Sequence, residues 1–293
     1  MRLALLGLGL IGGSVARALR GAGRAGELQI DQIVAWSPSG DGPARALRDG
    51  VIDLAAEVPE GAISGADLVL LAGPAPDILA QLDDLAGPWR NALAPGAVIT
   101  DVASTKAAIV ERATALELRF VGGHPMAGRE ASGYEASVAD LFVERPWVVV
   151  PAADEAAVQR VEALASATGA TPRRMAAADH DDAVAAVSHL PLVVAAALVE
   201  AVAGGRTGSR PDWPVVAALA ATGWRDMTRL ARGDATMGAG IAATNGPRIA
   251  SRVRDLIEVL DSWAAELERD GGPDGDAVAG RLRLARDRLE DRS

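Results

Sequence analysis

The sequence predicts an α/β protein in which a doubly wound parallel sheet occupies residues 1–176 and an all-helical domain follows over 177–293. Three observations predict it. An apolar segment at the start runs into a glycine-rich turn and then a helix. Short apolar strands go on alternating with helices as far as Met175. From Ala178 onward the chain is alanine-rich and helical in pattern, with no further strand of any length.

The first strand is Met1–Leu6. It reads as a buried strand rather than a signal sequence, because glycines follow at once and no small-residue cleavage site ends a longer apolar run. Gly7-Leu8-Gly9-Leu10-Ile11-Gly12 then gives G-x-G-x-x-G ahead of the helical run Val15–Arg20. This is the strand-turn-helix setting of the Rossmann-type dinucleotide fingerprint. Gly7 permits the tight turn, Gly9 lets the backbone approach a pyrophosphate, and Gly12 lets helix pack on strand. Leu10 and Ile11 complete the phosphate turn, whose helix end offers free N–H groups and a positive dipole.

The second strand, Gln32–Trp36, ends at Ser37, where an NAD-selective site usually has an acidic residue against the ribose. A small hydroxyl there removes repulsion toward a 2′-phosphate, with Arg45 or Arg48 within reach, while Asp41 offers an alternative ribose partner. The choice between NAD and NADP stays open, leaning slightly toward tolerance of NADP. Ala66–Ala72, ending at Gly73-Pro74, and Ala97–Val102 are the next strands, each presenting its carboxyl end to a ligand. Gly73, Pro74 and Ser104 are therefore counted with the cofactor edge.

The loop Ala103-Ser104-Thr105-Lys106 holds the only lysine among 29 basic residues. Either the position tolerates an ammonium and not a guanidinium fork, or the exception is chance. The Ser104 hydroxyl is suited to bridging a substrate oxygen and an imidazole; its structural alternative is capping a helix over Ala107–Leu116, which Thr105 would do equally well. His124 follows in Val121-Gly122-Gly123-His124-Pro125-Met126-Ala127-Gly128-Arg129-Glu130. Glycines and a proline around a titratable ring predict a loop and a candidate acid or base, against the plainer reading of a surface histidine.

Trp147–Val150, a helix near Asp154–Thr168 and a strand at Thr171–Met175 close the sheet domain. The first long helix of the second domain carries Asp179-His180-Asp181-Asp182 and Ser188-His189-Leu190-Pro191, with a kink expected at Pro191. Its apolar run Leu192–Val199 is too short for a membrane span and asks for burial against another subunit, hence a homodimer. Arg225 and Arg229, four apart, share a helical face suited to a dicarboxylate; the alternative is a solvated face with Asp226 and Asp234 as partners. Helices over Arg248–Arg269 and Ala277–Arg292 end the chain.

Composition bounds function. The chain of 293 residues, 49% hydrophobic and 23% charged, has material for two soluble domains. A net charge of -10 argues against nucleic acid or an anionic membrane as partner. The absence of cysteine excludes disulfides, thiolate metal sites and cysteine nucleophiles and fits the cytoplasm. Three histidines without zinc spacing give no metal site.

Taken together, GLGLIGG, DVASTK, GGHPMAG with the following RE and SG, HDDAVAAVSHLP and GWRDMTRLARGD resemble the prephenate and arogenate dehydrogenases of tyrosine biosynthesis, over residues 1 to about 250. The resemblance implies oxidative decarboxylation of a cyclohexadiene bearing a ring hydroxyl and a ring carboxylate, with hydride passing to NAD or NADP. It implies that His124 deprotonates the hydroxyl, that Ser104 bonds the same hydroxyl and orients His124, and that Arg229 holds a substrate carboxylate. Ser188, His189, Asp226 and Glu130 match positions lining or supporting the site. One position departs: Leu192 stands where several prephenate-using relatives have a second histidine, which keeps arogenate open as substrate. No appended regulatory domain is expected after the helices. Two alternatives do worse. A hydroxyacid dehydrogenase would need a lysine base in the helical domain, which has none, and a noncatalytic NAD-binding protein would have no use for His124, Ser104 and Arg229 together.

Overall fold

The computed structural model describes residues 1–21, 28–129, 131–203 and 213–291. They group into two compact units, Met1–Gly246 and Pro247–Ser293.

The first unit begins with β1 (Arg2–Leu6), α1 (Leu10–Gly21), β2 (Gln32–Trp36), α2 (Asp41–Arg48), β3 (Leu54–Ala55) and α3 (Pro59–Ile63). The chain continues through β4 (Leu68–Leu71), α4 (Ala75–Ala86), β5 (Val98–Asp101), α5 (Ala107–Ala115) and β6 (Phe120–Val121). These strands make one parallel sheet in the order β3-β2-β1-β4-β5-β6, so the chain reverses its winding between β1 and β4. Such a switch point leaves a crevice at the carboxyl ends of the two strands. Both faces of the sheet are covered, which is why its strands are continuous apolar runs rather than alternating ones. Leu3, Leu5, Leu68 and Leu70 point into one core, while Ala4, Leu6, Val69 and Leu71 point into the other.

A second sheet departs from expectation. The strands predicted near Trp147 and Thr171 do not extend the first sheet. β7 (Gly123–Pro125), β8 (Pro146–Val149) and β9 (Thr171–Arg174) form their own three-stranded sheet, with β7 antiparallel and β9 parallel to β8. Its connecting helix, α6 (Glu155–Ala167), is capped by Asp154, whose side chain accepts from Ala157 N. His124 therefore lies in a short strand and not in a loop. The neighbouring glycine serves close packing: a Cβ on Gly123 would come 2.7 Å from the Asp101 carbonyl oxygen and 3.0 Å from Trp147 Nε1.

Beyond the sheets, α7 (Ala177–Val184) and α8 (Leu190–Ala203) are joined by a π turn, Ala185–His189. The turn sits just before Pro191, whose ring crowds the preceding turn and removes an N–H; a wider turn relieves the clash and the helix stays continuous. The uninterrupted Ala177–Ala203 stretch is consequently longer than the apolar run suggested, and is long and apolar enough to cross a membrane by length and composition only. Only Ala195 of α8 is fully buried within the chain; its larger apolar side chains are half-buried, so the helix is partly uncovered.

α9 (Trp213–Ala217) and α10 (Thr222–Thr228) follow, with the rings of Trp213 and Trp224 tilted at 49° and their centroids 5.6 Å apart. α10 stops at Thr228 and a 3-10 turn takes over at Arg229–Arg232, so Arg225 and Arg229 do not share one regular helical face. α11 (Ala235–Leu267) starts earlier than the sequence suggested and leaves helical geometry at Asn245, two residues before Pro247. Within the second unit, Asp274 caps α12 (Gly275–Glu290), and Arg281 lies 4.0 Å over the Trp263 ring.

Candidate active site

The crevice at the β1–β4 switch is a cleft of about 710 Å³, lined among others by Gly7, Gly9, Ser37, Asp41, Arg45, Gly73 and Pro74. Gly7 adopts φ 105°, open only to glycine at no strain, and a Cβ there would also sit 2.7 Å from the Ala72 carbonyl. Gly9 faces open space, as a backbone that must approach a phosphate should. Gly12 packs against the Gly7 carbonyl, and Leu10 and Ile11 open α1. The Ser37 hydroxyl is buried without a hydrogen-bond partner among the described residues, which suits a ribose or phosphate oxygen. Arg45 is ion-paired with Glu135 at the same cleft. Turn, open glycine and orphan hydroxyl fit a dinucleotide.

His124, in the middle of β7, faces Val148 of β8. Its Nδ1 lies 2.8 Å from Nε2 of His180 on α7, the rings meeting edge to face. His180 is buried, and its Nδ1 bonds Asp181 Oδ1 at 2.8 Å. Asp181, buried as well, accepts Lys106 N at 2.7 Å and Ala107 N at 2.9 Å, the N–H groups of the N-cap and of the first residue of α5. The carboxylate thus satisfies donors that have no partner inside the helix and meets the positive end of its dipole. Burial alone would raise the Asp181 pKa, but the His180 bond and the two N–H bonds outweigh it and hold the carboxyl below its ordinary value. Burial, followed by His180, Lys106 and His189, keeps the His124 imidazole well below 6.5. The ring is neutral at physiological pH.

His189 is tied into the same cluster by Asn245. Asn245 Nδ2 donates to the Asp181 carbonyl at 2.8 Å and approaches His189 Nδ1 at 3.2 Å. Burial is the chief reason His189 is pushed down to about 4.

Lys106 answers the question its rarity raised. The side chain is wholly buried; its Nζ forms an ion pair with Asp101 and donates to the Gly123 carbonyl at 2.7 Å. Asp101 in turn accepts Gly123 N and Ala103 N, each at 3.0 Å. The pair fastens the end of β5 to the residue that precedes His124.

Ser104 is half-buried at the carboxyl end of β5. The partner of His124 Nδ1 is His180 rather than Ser104, and neither Ser104 nor Thr105 caps α5, since Asp181 takes that place from α7. Thr105 Oγ1 instead meets Thr244 Oγ1 at 2.8 Å. Ser188, Arg225, Asp226 and Arg229 are exposed, Ser188 beside the buried His189. Glu130 lies outside the described residues.

A family model described as prephenate dehydrogenase, nucleotide-binding domain, matches residues 15–172, and one described as prephenate dehydrogenase, dimerization domain, matches residues 176–276. The chain belongs to the prephenate dehydrogenase family. It is an NAD(P)-dependent oxidoreductase, as the glycine turn after β1 led one to expect. The prephenate dehydrogenase of Bacillus subtilis (strain 168) is 33% identical over 271 residues, spanning 91% of this chain and 70% of that protein. Among solved structures, Synechocystis arogenate dehydrogenase is 31% identical with a TM-score of 0.75, covering 99% of this chain and 100% of that one. The A. aeolicus prephenate dehydrogenase, solved with hydroxyphenyl propionate and NAD+, is 25% identical with a TM-score of 0.85, covering 99% and 98%.

Four residues of this family member escaped functional assignment in the sequence: His180, Asp181, Asn245 and Asp101. His180 and Asp181 stand in a polar run at a helix start, where an aspartate reads as a cap of its own helix and not of α5. Asn245 precedes Gly246 and Pro247, a visible breaker signal. Asp101, an acid at the end of a buried apolar strand, was the most readable of the four.

Proposed function

We propose that this enzyme oxidatively decarboxylates prephenate to 4-hydroxyphenylpyruvate, with residues 1–176 holding NAD or NADP and residues 177–293 forming the substrate and dimer domain. The observation that carries the reading is His124: a neutral ring with Nδ1 tied to His180, on a strand whose Gly123 is bonded to Asp101 at the end of β5, and we assign its Nε2 to the substrate. Gly7, Gly9, Ser37, Gly73 and Pro74 would hold the dinucleotide, whose nicotinamide accepts the hydride.

His124 Nε2 takes the proton of the ring hydroxyl as the carbinol carbon loses hydride and becomes a carbonyl carbon. The bond to the ring carboxylate then breaks, its electron pair enters the ring, and carbon dioxide leaves. The oxygen recovers its proton from His124 as a phenol, so the acid–base cycle closes. Ser104 bonds the same oxygen. Arg229 grips a carboxylate, with Arg225, Asp226, Ser188 and His189 shaping the pocket around it. The partly uncovered helix α8 packs against a second copy, in the cytoplasm.

Arogenate is the second reading, favoured by Leu192 at the position after SHLP. Assays crossing prephenate and arogenate with NAD and NADP decide among the four combinations, and inactivity with all four would sink the reading. His124→Asn is expected to lower kcat far more than it weakens substrate binding.

A further inference from the structure

We propose that His180 and Asp181 are positioning residues that hold His124 as its Nδ1–H tautomer, leaving the Nε2 lone pair for the substrate hydroxyl. The proposal rests on the reading of His124 as the base and adds what makes it one.

The argument is one of donors and acceptors. Asp181 accepts backbone N–H bonds at both of its oxygens, Lys106 N at Oδ1 and Ala107 N at Oδ2. A carboxylate so placed is ionised and only accepts, so His180 Nδ1, 2.8 Å from Oδ1, carries a proton. We assign His180 Nε2 no proton, so that it accepts. The facing atom, His124 Nδ1 at 2.8 Å, is the donor. Two assignments close every bond: the other, with His180 donating from both nitrogens, would place the His124 proton on Nε2, and only this one leaves His124 Nε2 the lone pair that the proposed base requires. A neutral imidazole with its proton on Nε2 would present an N–H to the substrate hydroxyl and could not act as a base. When Nε2 takes the substrate proton, the new positive charge lies one ring away from a fixed carboxylate, so the pair also stabilises that charge. A helix anchors the carboxylate: Asp181 cannot turn without uncapping α5.

The chain has only three histidines, so the test is direct. Imidazole ¹⁵N spectra of labelled protein, with the His124 signals identified by their loss in His124→Asn, should show a protonated Nδ1 and an unprotonated Nε2 in the wild type. A protonated Nε2 would overturn the proposal without any other variant. In His180→Leu, His124 should move toward the Nε2–H form, and kcat should fall roughly 10- to 100-fold, the range for groups supporting a site from behind, with KM little changed. His180→Gln, whose amide oxygen can accept from Nδ1–H, should recover much of that loss, while a merely space-filling role would make Leu and Gln alike. NADH binding, followed by fluorescence, checks that each variant is folded. A wild type inactive on every substrate would sink the proposed reaction and leave the tautomer result standing; an active wild type with unchanged His180→Leu kcat would sink the tautomer proposal alone.

Discussion

Lys106 Nζ and the Asp101 carboxylate form an ion pair in which neither side chain has solvent exposure, and the same ammonium bonds the carbonyl of the residue before His124. Breaking such a pair from one side leaves a buried charge alone. Lys106→Met keeps length and removes charge; it should cost about 3–5 kcal/mol of unfolding free energy. Lys106→Arg keeps charge but forces a planar fork into a space filled by an ammonium, at about 1–3 kcal/mol. Urea unfolding measures both, and a Lys106→Met protein as stable as the wild type would mean that the pair is not holding this junction. The expected cost of arginine gives a physical reason for lysine at this one position.

Gly123→Ala should damage catalysis through β7. The added Cβ would meet the Asp101 carbonyl oxygen at 2.7 Å, and backbone cannot step aside as a flexible side chain would. The strand must shift, and a displacement of about 1 Å at a reacting group can cost on the order of 100-fold in rate. Stability should fall by about 1–3 kcal/mol as well. Gly280→Ala in α12, where nothing lies within 4 Å, is the control and should leave kcat unchanged. Equal kcat values for the two variants would show that β7 tolerates movement.

The parallel sheet was legible because its signals are local. Continuous apolar runs, glycines after β1 and alternation with helices each depend on a few adjacent residues, and β2 was placed at Gln32–Trp36 to the residue. His124, Ser104 and the glycine turn stood out as candidates for the same reason. What the sequence concealed is pairing across distance. His180 meets His124 from 56 positions away, and Asp181 caps a helix that begins 74 positions earlier. A polar residue at a helix start looks the same whether it caps its own helix or another. The separate sheet of β7, β8 and β9 was hidden likewise, since apolar strand patterns do not say which sheet they join. The shared face for Arg225 and Arg229 failed because a helical period read through Thr228 cannot register a change to a 3-10 turn.

Acid should destabilise the fold before most carboxylates titrate. His189 is pushed down to about 4 from 6.5, and His124 is held well below 6.5, burial leading in both. Between the unfolded and folded values the unfolded chain binds more protons, so stability is whole above about 6.5 and declines as pH falls toward about 4. Asp181, whose folded pKa is lowered, adds a loss in the same direction at still lower pH. Urea midpoints measured from pH 7.5 down to 4.5 should fall steadily, and His189→Gln should flatten the slope. A midpoint constant across this range would mean that both rings charge freely in the folded protein.

On the proposed reading, Asn245 separates support of the substrate pocket from support of the base. Its amide nitrogen serves two acceptors, the Asp181 carbonyl and His189 Nδ1, from a point where α11 departs from helical geometry. Asn245→Asp keeps the shape but replaces the donor with an acceptor, turning two attractions into repulsions inside a buried cluster. A loss of about 1–3 kcal/mol for each group left unsatisfied is expected. In kinetics the effects should divide unequally. The bonds running His124 to His180 to the Asp181 carboxylate do not include Asn245, whereas the orientation of His189 depends on it directly. KM should therefore rise more than kcat falls in steady-state assays of Asn245→Asp. The reverse pattern, a fallen kcat at constant KM, would place Asn245 behind the base through the Asp181 backbone and remove His189 from substrate contact.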